Sequence, residues 1–105
     1  MERGEVRWYK FKPPDKERPV VILTRTSAVQ FLGEVAIAPI TSTVREIPTE
    51  VVLDESDGMK APCAINLDHI QTVTKSKLGA LIVKLSEERM EEVRGALLFA
   101  MGDRQ

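Results

Sequence analysis

Two apolar, β-branched runs, Pro19-Val20-Val21-Ile22-Leu23 and Val35-Ala36-Ile37-Ala38-Pro39-Ile40, constrain this chain more than any other feature. They read as buried strands, and the second is so uniformly apolar that both of its faces must be covered. Each run meets polar residues at one end: Arg18 precedes the first, and Thr41, Ser42 and Thr43 follow the second. The ends of strands are where a rigid scaffold presents chemistry. Arg18 and Thr41 are therefore the first candidate functional residues.

The rest of the chain divides into short elements around these two strands. Residues 6–11 read as a strand rich in aromatics, and Lys12-Pro13-Pro14-Asp15-Lys16-Glu17 cannot continue a ladder. One or two helical turns are expected within residues 26–33, with Ser27 as N-cap ahead of Val29 and Leu32. Residues 42–48 form a polar loop holding Arg45 and Glu46, residues 49–53 resume strand character, and residues 54–58 turn. Residues 64–73 read as a strand pair or one bent strand. In extended form Asn66 and Asp68 share one face, and Ile65, Leu67 and His69 the other. A helical turn over 75–78 closed by Gly79 leads to a strand over 81–84.

The last element is the clearest helix. Ser86 caps it, Glu87 and Glu88 suit the positive end of its dipole, and Met90, Val93, Leu97 and Met101 recur at spacings of three and four. Gly102 can end it. Short strands with one C-terminal helix make this a mainly β, α+β chain: a single domain over residues 1–105, built as a small antiparallel barrel or bent sheet packed on that helix. Leu98 and Phe99 lie off the apolar stripe, as core residues or as part of a surface shared with a second copy.

With 105 residues the core is modest, and pairing with a second copy would help it. No apolar run approaches transmembrane length and no charged-then-apolar leader opens the chain, so a cytoplasmic protein without membrane contact is expected. Cys63 is the single cysteine and His69 the single histidine. They offer no disulfide and no ligand cluster, so neither a metal nor a cofactor is expected. The net charge of −1 is uneven: residues 1–45 hold eight Lys and Arg against five Asp and Glu, residues 46–105 seven against eleven. The basic half contains Arg18 and Thr41. That permits a local positive surface for nucleic acid, although a solvated mixed surface has the same composition.

The opening Arg3-Gly4-Glu5-Val6-Arg7-Trp8, the segment Arg18-Pro19-Val20-Val21 and the segment Ala38-Pro39-Ile40-Thr41 together resemble the MazF/PemK family of toxin endoribonucleases. The likeness runs from the N-terminus to about Thr72, with a weaker echo in the last helix. It implies an SH3-like barrel of the MazF/CcdB type that pairs as a homodimer, and a MazE-like antitoxin as partner. The implied activity is that of an mRNA interferase, a metal-independent, sequence-selective endoribonuclease acting on single-stranded RNA. It also implies that Arg18 and Thr41 are the catalytic pair.

RNA cleavage without a metal proceeds by attack of the 2′-hydroxyl on the adjacent phosphorus, leaving a 2′,3′-cyclic phosphate and a 5′-hydroxyl. The 2′-proton must be removed, charge on the phosphorane oxygens stabilised, and the leaving oxygen protonated. Arg18 suits the charge, because a guanidinium presents a planar fork of donors and stays protonated. Thr41 can donate a hydroxyl hydrogen bond to a phosphate oxygen, with Ser42, Thr43 and Arg45 in support. Many family members carry a G-S-E-Q-like stretch before the arginine, where this chain has only Lys12 to Glu17. Glu17 and Asp15 are then candidate bases by proximity in sequence. His69 is another, since histidine titrates near neutral pH, although a histidine beside Ile65 and Leu67 is more often structural. Asp68 is a candidate for a base edge, because the family often has an acid there. Two other functions compete: a gyrase-poisoning toxin of the CcdB type, which the Met101-Gly102-Asp103-Arg104-Gln105 ending does not favour, and a silent SH3-like module binding RNA or peptide.

Overall fold

The computed structural model describes residues 1–14 and 16–103. Seven strands form one antiparallel system: β1 (Glu5–Lys10), β2 (Glu17–Ile22), β3 (Glu34–Thr41), β4 (Glu50–Leu53), β5 (Cys63–Asn66), β6 (Gln71–Thr74) and β7 (Leu78–Lys84). A short helix, α1 (Thr26–Val29), separates β2 from β3, and α2 (Glu87–Ala100) follows β7. The strand order is β4-β5-β3-β2-β1-β7, with β6 also on β3.

β3 is the pivot. Its first half pairs with β6 from Glu34↔Thr74 to Ile37↔Gln71, and its last two residues pair with β5 at Ile40↔Ile65 and Thr41↔Ala64. Along its other edge it holds β2, with Val20↔Pro39, Val21↔Ala38 and Ile22↔Ile37. A strand so placed is covered on both faces over most of its length, which is why it carries almost no polar residue. Its alternating side chains enter two separate cores. Ala38 and Ile40 join Val21, Leu53, Ile65 and Leu67 under Val93 and Ala96 of α2. Val35 and Ile37 join Val20, Ile22, Val73 and Val29 of α1, with Tyr9 and Phe11 packed against them. Burial of each such side chain contributes about 1.5–3 kcal/mol before conformational entropy is subtracted.

α2 begins as its sequence dictates. The Ser86 hydroxyl accepts from the Arg89 N–H at 3.2 Å, and Glu87 and Glu88 occupy the first turn. It ends at Gly102, whose φ of +92° is one a side chain would resist. The buried stripe is Met90, Val93, Ala96, Leu97 and Ala100, whereas Met101 is exposed. The stripe expected to end on Met101 drifts one residue earlier, because 3.6 residues per turn carries Ala100 over the core.

Two further expectations are corrected, and a third is resolved between its alternatives. Ser27 is not the cap of α1: Arg25 holds that position with no side-chain bond, and the Thr26 hydroxyl instead accepts from the Arg3 N–H at 3.1 Å. Gly79 does not close a turn. The turn at Lys75–Lys77 runs directly into β7, where Gly79 lies against the Trp8 carbonyl oxygen. Of the two readings of residues 64–73, two strands are found and one continuous alternating strand is not, because a 3₁₀ turn, Leu67–His69, separates β5 from β6.

One ion pair ties the turn before β5 to α2. Arg89 donates from Nε to Asp57 Oδ1 at 2.9 Å and from Nη2 to Oδ2 at 3.1 Å. These bonds, opposed by burial, hold the Asp57 carboxyl below its ordinary value. A carboxylate so depressed contributes stability above its unfolded pKa of about 3.9 and loses it as pH falls through the lower folded value. Arg89→Ala should therefore flatten the acid side of the stability profile. Urea midpoints of wild type should drop more steeply below about pH 4 than those of the variant.

Candidate active site

The register of β2 on β3 places the two sequence candidates together. The paired residues run from Ile22↔Ile37 to Val20↔Pro39, so the same register continued two residues would set Arg18 across from Thr41, and both line one cleft. Both side chains then project on one face of the sheet. Tyr9 projects there from β1, since Tyr9 pairs with Arg18, with Phe11 just beyond the strand end, and Gln71 from β6, since Gln71 pairs with Ile37 two residues before Pro39. Deeper along this face lie Val20, Ile22, Val35, Ile37 and Val73, which form the second core. The open end of that core is a cleft of about 420 Å³ lined by Phe11, Arg18, Pro39, Thr41, Thr43, Arg45, Asn66, His69 and Gln71.

The order of strands lays out the floor. Arg18 and Thr41 occupy the middle, the Phe11 ring flanks them on the β1 side, and Gln71, with His69, lies on the β6 side. Phe11 is braced by Tyr9, edge to face at a centroid distance of 4.8 Å. The loop after β3 adds a second cation. Arg45 donates from Nε to Glu50 Oε2 at 3.0 Å and from its backbone N–H to Oε1 at 2.9 Å, and its Nη2 lies in ion-pair contact with Oε2 at 3.0 Å. The Glu50 side chain is wholly buried, so two hydrogen bonds and an ion-pair contact from one residue satisfy a carboxylate that burial would otherwise destabilise strongly. The loop is thereby pinned with Arg45 at the cleft.

Thr41 is oriented in a similar way. Its Oγ1 accepts from the Thr43 N–H at 3.1 Å, so a lone pair is committed inward and the hydroxyl hydrogen is what it can offer a ligand. His69 is the largest departure from the extended reading. Asn66 Oδ1 accepts from the Asp68 N–H at 2.9 Å and folds the chain into the 3₁₀ turn, so Leu67 enters the core while His69 stands exposed in the cleft. The turn breaks the alternation that had set His69 beside Leu67.

Of the candidates read from the sequence, Arg18, Thr41, Thr43, Arg45 and His69 line the cleft. Glu17, Ser42 and Asp68 do not. Glu17 precedes Arg18 on β2 and so projects from the opposite face of that strand, and Ser42 lies in the bend between the cleft residues Thr41 and Thr43. Asp68 accepts from the Thr49 hydroxyl at 2.7 Å and is drawn toward the start of β4. Asp15 lies outside the described residues. Phe11, Pro39, Asn66 and Gln71 were not singled out. The parity of Arg18 and Thr41 could have found Phe11 and Pro39, but no local signal marks Asn66 or Gln71. Among the described residues, the cleft is lined by two guanidinium groups and no carboxylate, with Arg45 paired to Glu50, which suits it to an anion.

The family model for the PemK-like, MazF-like toxin of type II toxin-antitoxin systems matches residues 2–101. The probable endoribonuclease MazF5 of Mycobacterium tuberculosis is 36% identical over 100 residues, spanning 94% of this chain and 91% of its own length. Among solved structures, the Mycobacterium tuberculosis toxin MazF-mt6 aligns with a TM-score of 0.87 at 33% identity, covering 96% of this chain and 99% of its own. A mycobacterial endoribonuclease solved in complex with its cognate antitoxin aligns with a TM-score of 0.87 at 26% identity, covering all of this chain and 98% of its own. On a match that runs nearly end to end, with the fold in agreement, this chain belongs to the PemK-like, MazF-like toxins of type II toxin-antitoxin systems.

Proposed function

We propose that the protein is a toxin endoribonuclease that cleaves single-stranded mRNA at this cleft by attack of a 2′-hydroxyl on the neighbouring phosphorus, with no metal. The observation that carries the reading is that Arg18 and Thr41, from neighbouring strands, line one cleft with Phe11, Asn66 and Gln71. Arg18 stabilises charge on the phosphorane oxygens, Thr41 donates its hydroxyl hydrogen to one of them, and Thr43 and Arg45 hold the adjoining backbone. Unpaired RNA is the substrate because its bases can splay into the cleft, while an A-form duplex hides them. The protein acts as one domain in a cytoplasmic homodimer, with Phe99 and Met101 among the exposed apolar residues near the end of α2. A MazE-like antitoxin silences it by laying an acidic segment beside Arg18 and Arg45, where RNA phosphates would lie. Relatives named as endoribonucleases favour this reading over a gyrase poison or a silent binding module.

Incubation with single-stranded RNA in EDTA should give fragments ending in 2′,3′-cyclic phosphate and 5′-hydroxyl. Fragments with 5′-phosphates, or a strict requirement for added magnesium, would overturn the mechanism.

A further inference from the structure

Asn66 is 5% exposed and makes two side-chain bonds that together decide where His69 carries its proton. Its Oδ1 accepts from the Asp68 N–H at 2.9 Å, which fixes which end of the amide is oxygen. The Nδ2 end therefore faces His69 Nδ1, at 3.3 Å. An amide N–H₂ has only hydrogens to offer, so Nδ1 must be the bare nitrogen, and the ring proton lies on Nε2. His69 is exposed and lines the cleft together with Gln71, two residues on in the chain.

We propose that Asn66 is a positioning residue that locks His69 as its Nε2–H tautomer, and that this N–H reads an acceptor on the edge of an RNA base next to the scissile phosphate. This rests on the ribonuclease reading above. With Nδ1 occupied by Asn66 and Nε2 protonated, the ring has no lone pair free to abstract a 2′-proton, so it recognises and does not act as the base. Arg18, Arg45, Thr41 and Thr43 already supply donors for the phosphate. A single oriented N–H beside the Gln71 amide is the equipment for a base edge instead, which unstacked RNA exposes on its Watson–Crick and Hoogsteen sides.

His69 is the chain's only histidine, so its ring nitrogens are read without ambiguity in a long-range ¹H–¹⁵N correlation spectrum of the whole protein. At neutral pH wild type should show Nδ1 bare and Nε2 protonated, and a single-stranded RNA pool made uncleavable by 2′-O-methylation should shift Nε2. Asn66→Asp keeps the shape and the acceptor for the Asp68 N–H but replaces the amide donor with a carboxylate, so Nδ1 should become protonated. On a randomised RNA pool, Asn66→Asp and His69→Ala should each lose about tenfold in kcat/KM for the preferred sequence, relaxing the same base position. His69→Gln, which keeps an N–H donor, should retain the preference and make Asn66→Asp harmless.

A wild-type spectrum with Nδ1 protonated would overturn the tautomer, and an unchanged preference in both Asn66→Asp and His69→Ala would overturn the base contact. If the protein cleaves no RNA, the ribonuclease reading fails separately. The His69 spectrum still decides the tautomer in that case, and an Nε2 resonance unmoved by the RNA pool still rejects the contact.

Discussion

Arg18→Ala should lower kcat for RNA cleavage by about 10²-fold or more while RNA affinity falls far less, because the group is matched to charge that grows only in the transition state. Thr41→Ala should behave alike, as it removes the one hydroxyl hydrogen that the Thr43 N–H leaves pointing outward. The double variant should be little worse than either single one, as expected for groups acting on the same phosphorane. Arg18→Lys should recover little, since an ammonium is a point charge and not a planar fork. Both residues sit at strand ends, half-buried, so thermal unfolding of the variants should stay close to wild type. Single-turnover cleavage against equilibrium binding to an uncleavable RNA separates the two effects. Alanine variants that turn over within a few-fold of wild type would return the cleft to a binding role.

Ile37→Ala should be the most destabilising of simple truncations, costing about 2–5 kcal/mol. Ile37 is fully buried in the middle of β3, pairs with Ile22 on one side and Gln71 on the other, and fills the core directly beneath the cleft. Neighbours held in a sheet cannot collapse into the space, so the cavity cost adds to the lost transfer energy. Against a total stability of about 5–15 kcal/mol, that loss should lower Tm by on the order of 10 °C or more. Val52→Ala is the control: it truncates a β-branched side chain on β4 that is 36% exposed, and should cost about 0.5 kcal/mol. Urea midpoints at one fixed protein concentration compare the two, since any self-association would stabilise the folded state by mass action. An Ile37→Ala midpoint no lower than that of Val52→Ala would contradict the two-core account of the fold.

The strands around Arg18 and Thr41 were legible because β-branched apolar runs leave a chain few alternatives, and α2 was legible because a capping serine and a 3.6-residue stripe are local signals. The 3₁₀ turn at Leu67–His69 was not. Read as extended chain, residues 64–73 put His69 on the apolar face, and only the Asn66 side chain bonding the Asp68 N–H reverses it. Side-chain bonds of that kind compete with a strand ladder on nearly equal terms, so composition does not reveal which will win. The same holds for Glu50, whose buried carboxylate reads as a charged residue at a strand start until Arg45 folds back onto it.

The sequence by itself determined which segments had to be buried strands, where the helix capped and ended, and that an arginine and a threonine closed two of the strands. Those properties follow from forces that act over a few residues. Only the tertiary structure decided that Arg18 and Thr41 line one cleft, that Glu17 and Asp68 face elsewhere, and that Phe11, Asn66 and Gln71 complete the cleft. Register along β3 is set by the fit of two cores on its opposite faces, and that fit belongs to residues distant in the chain.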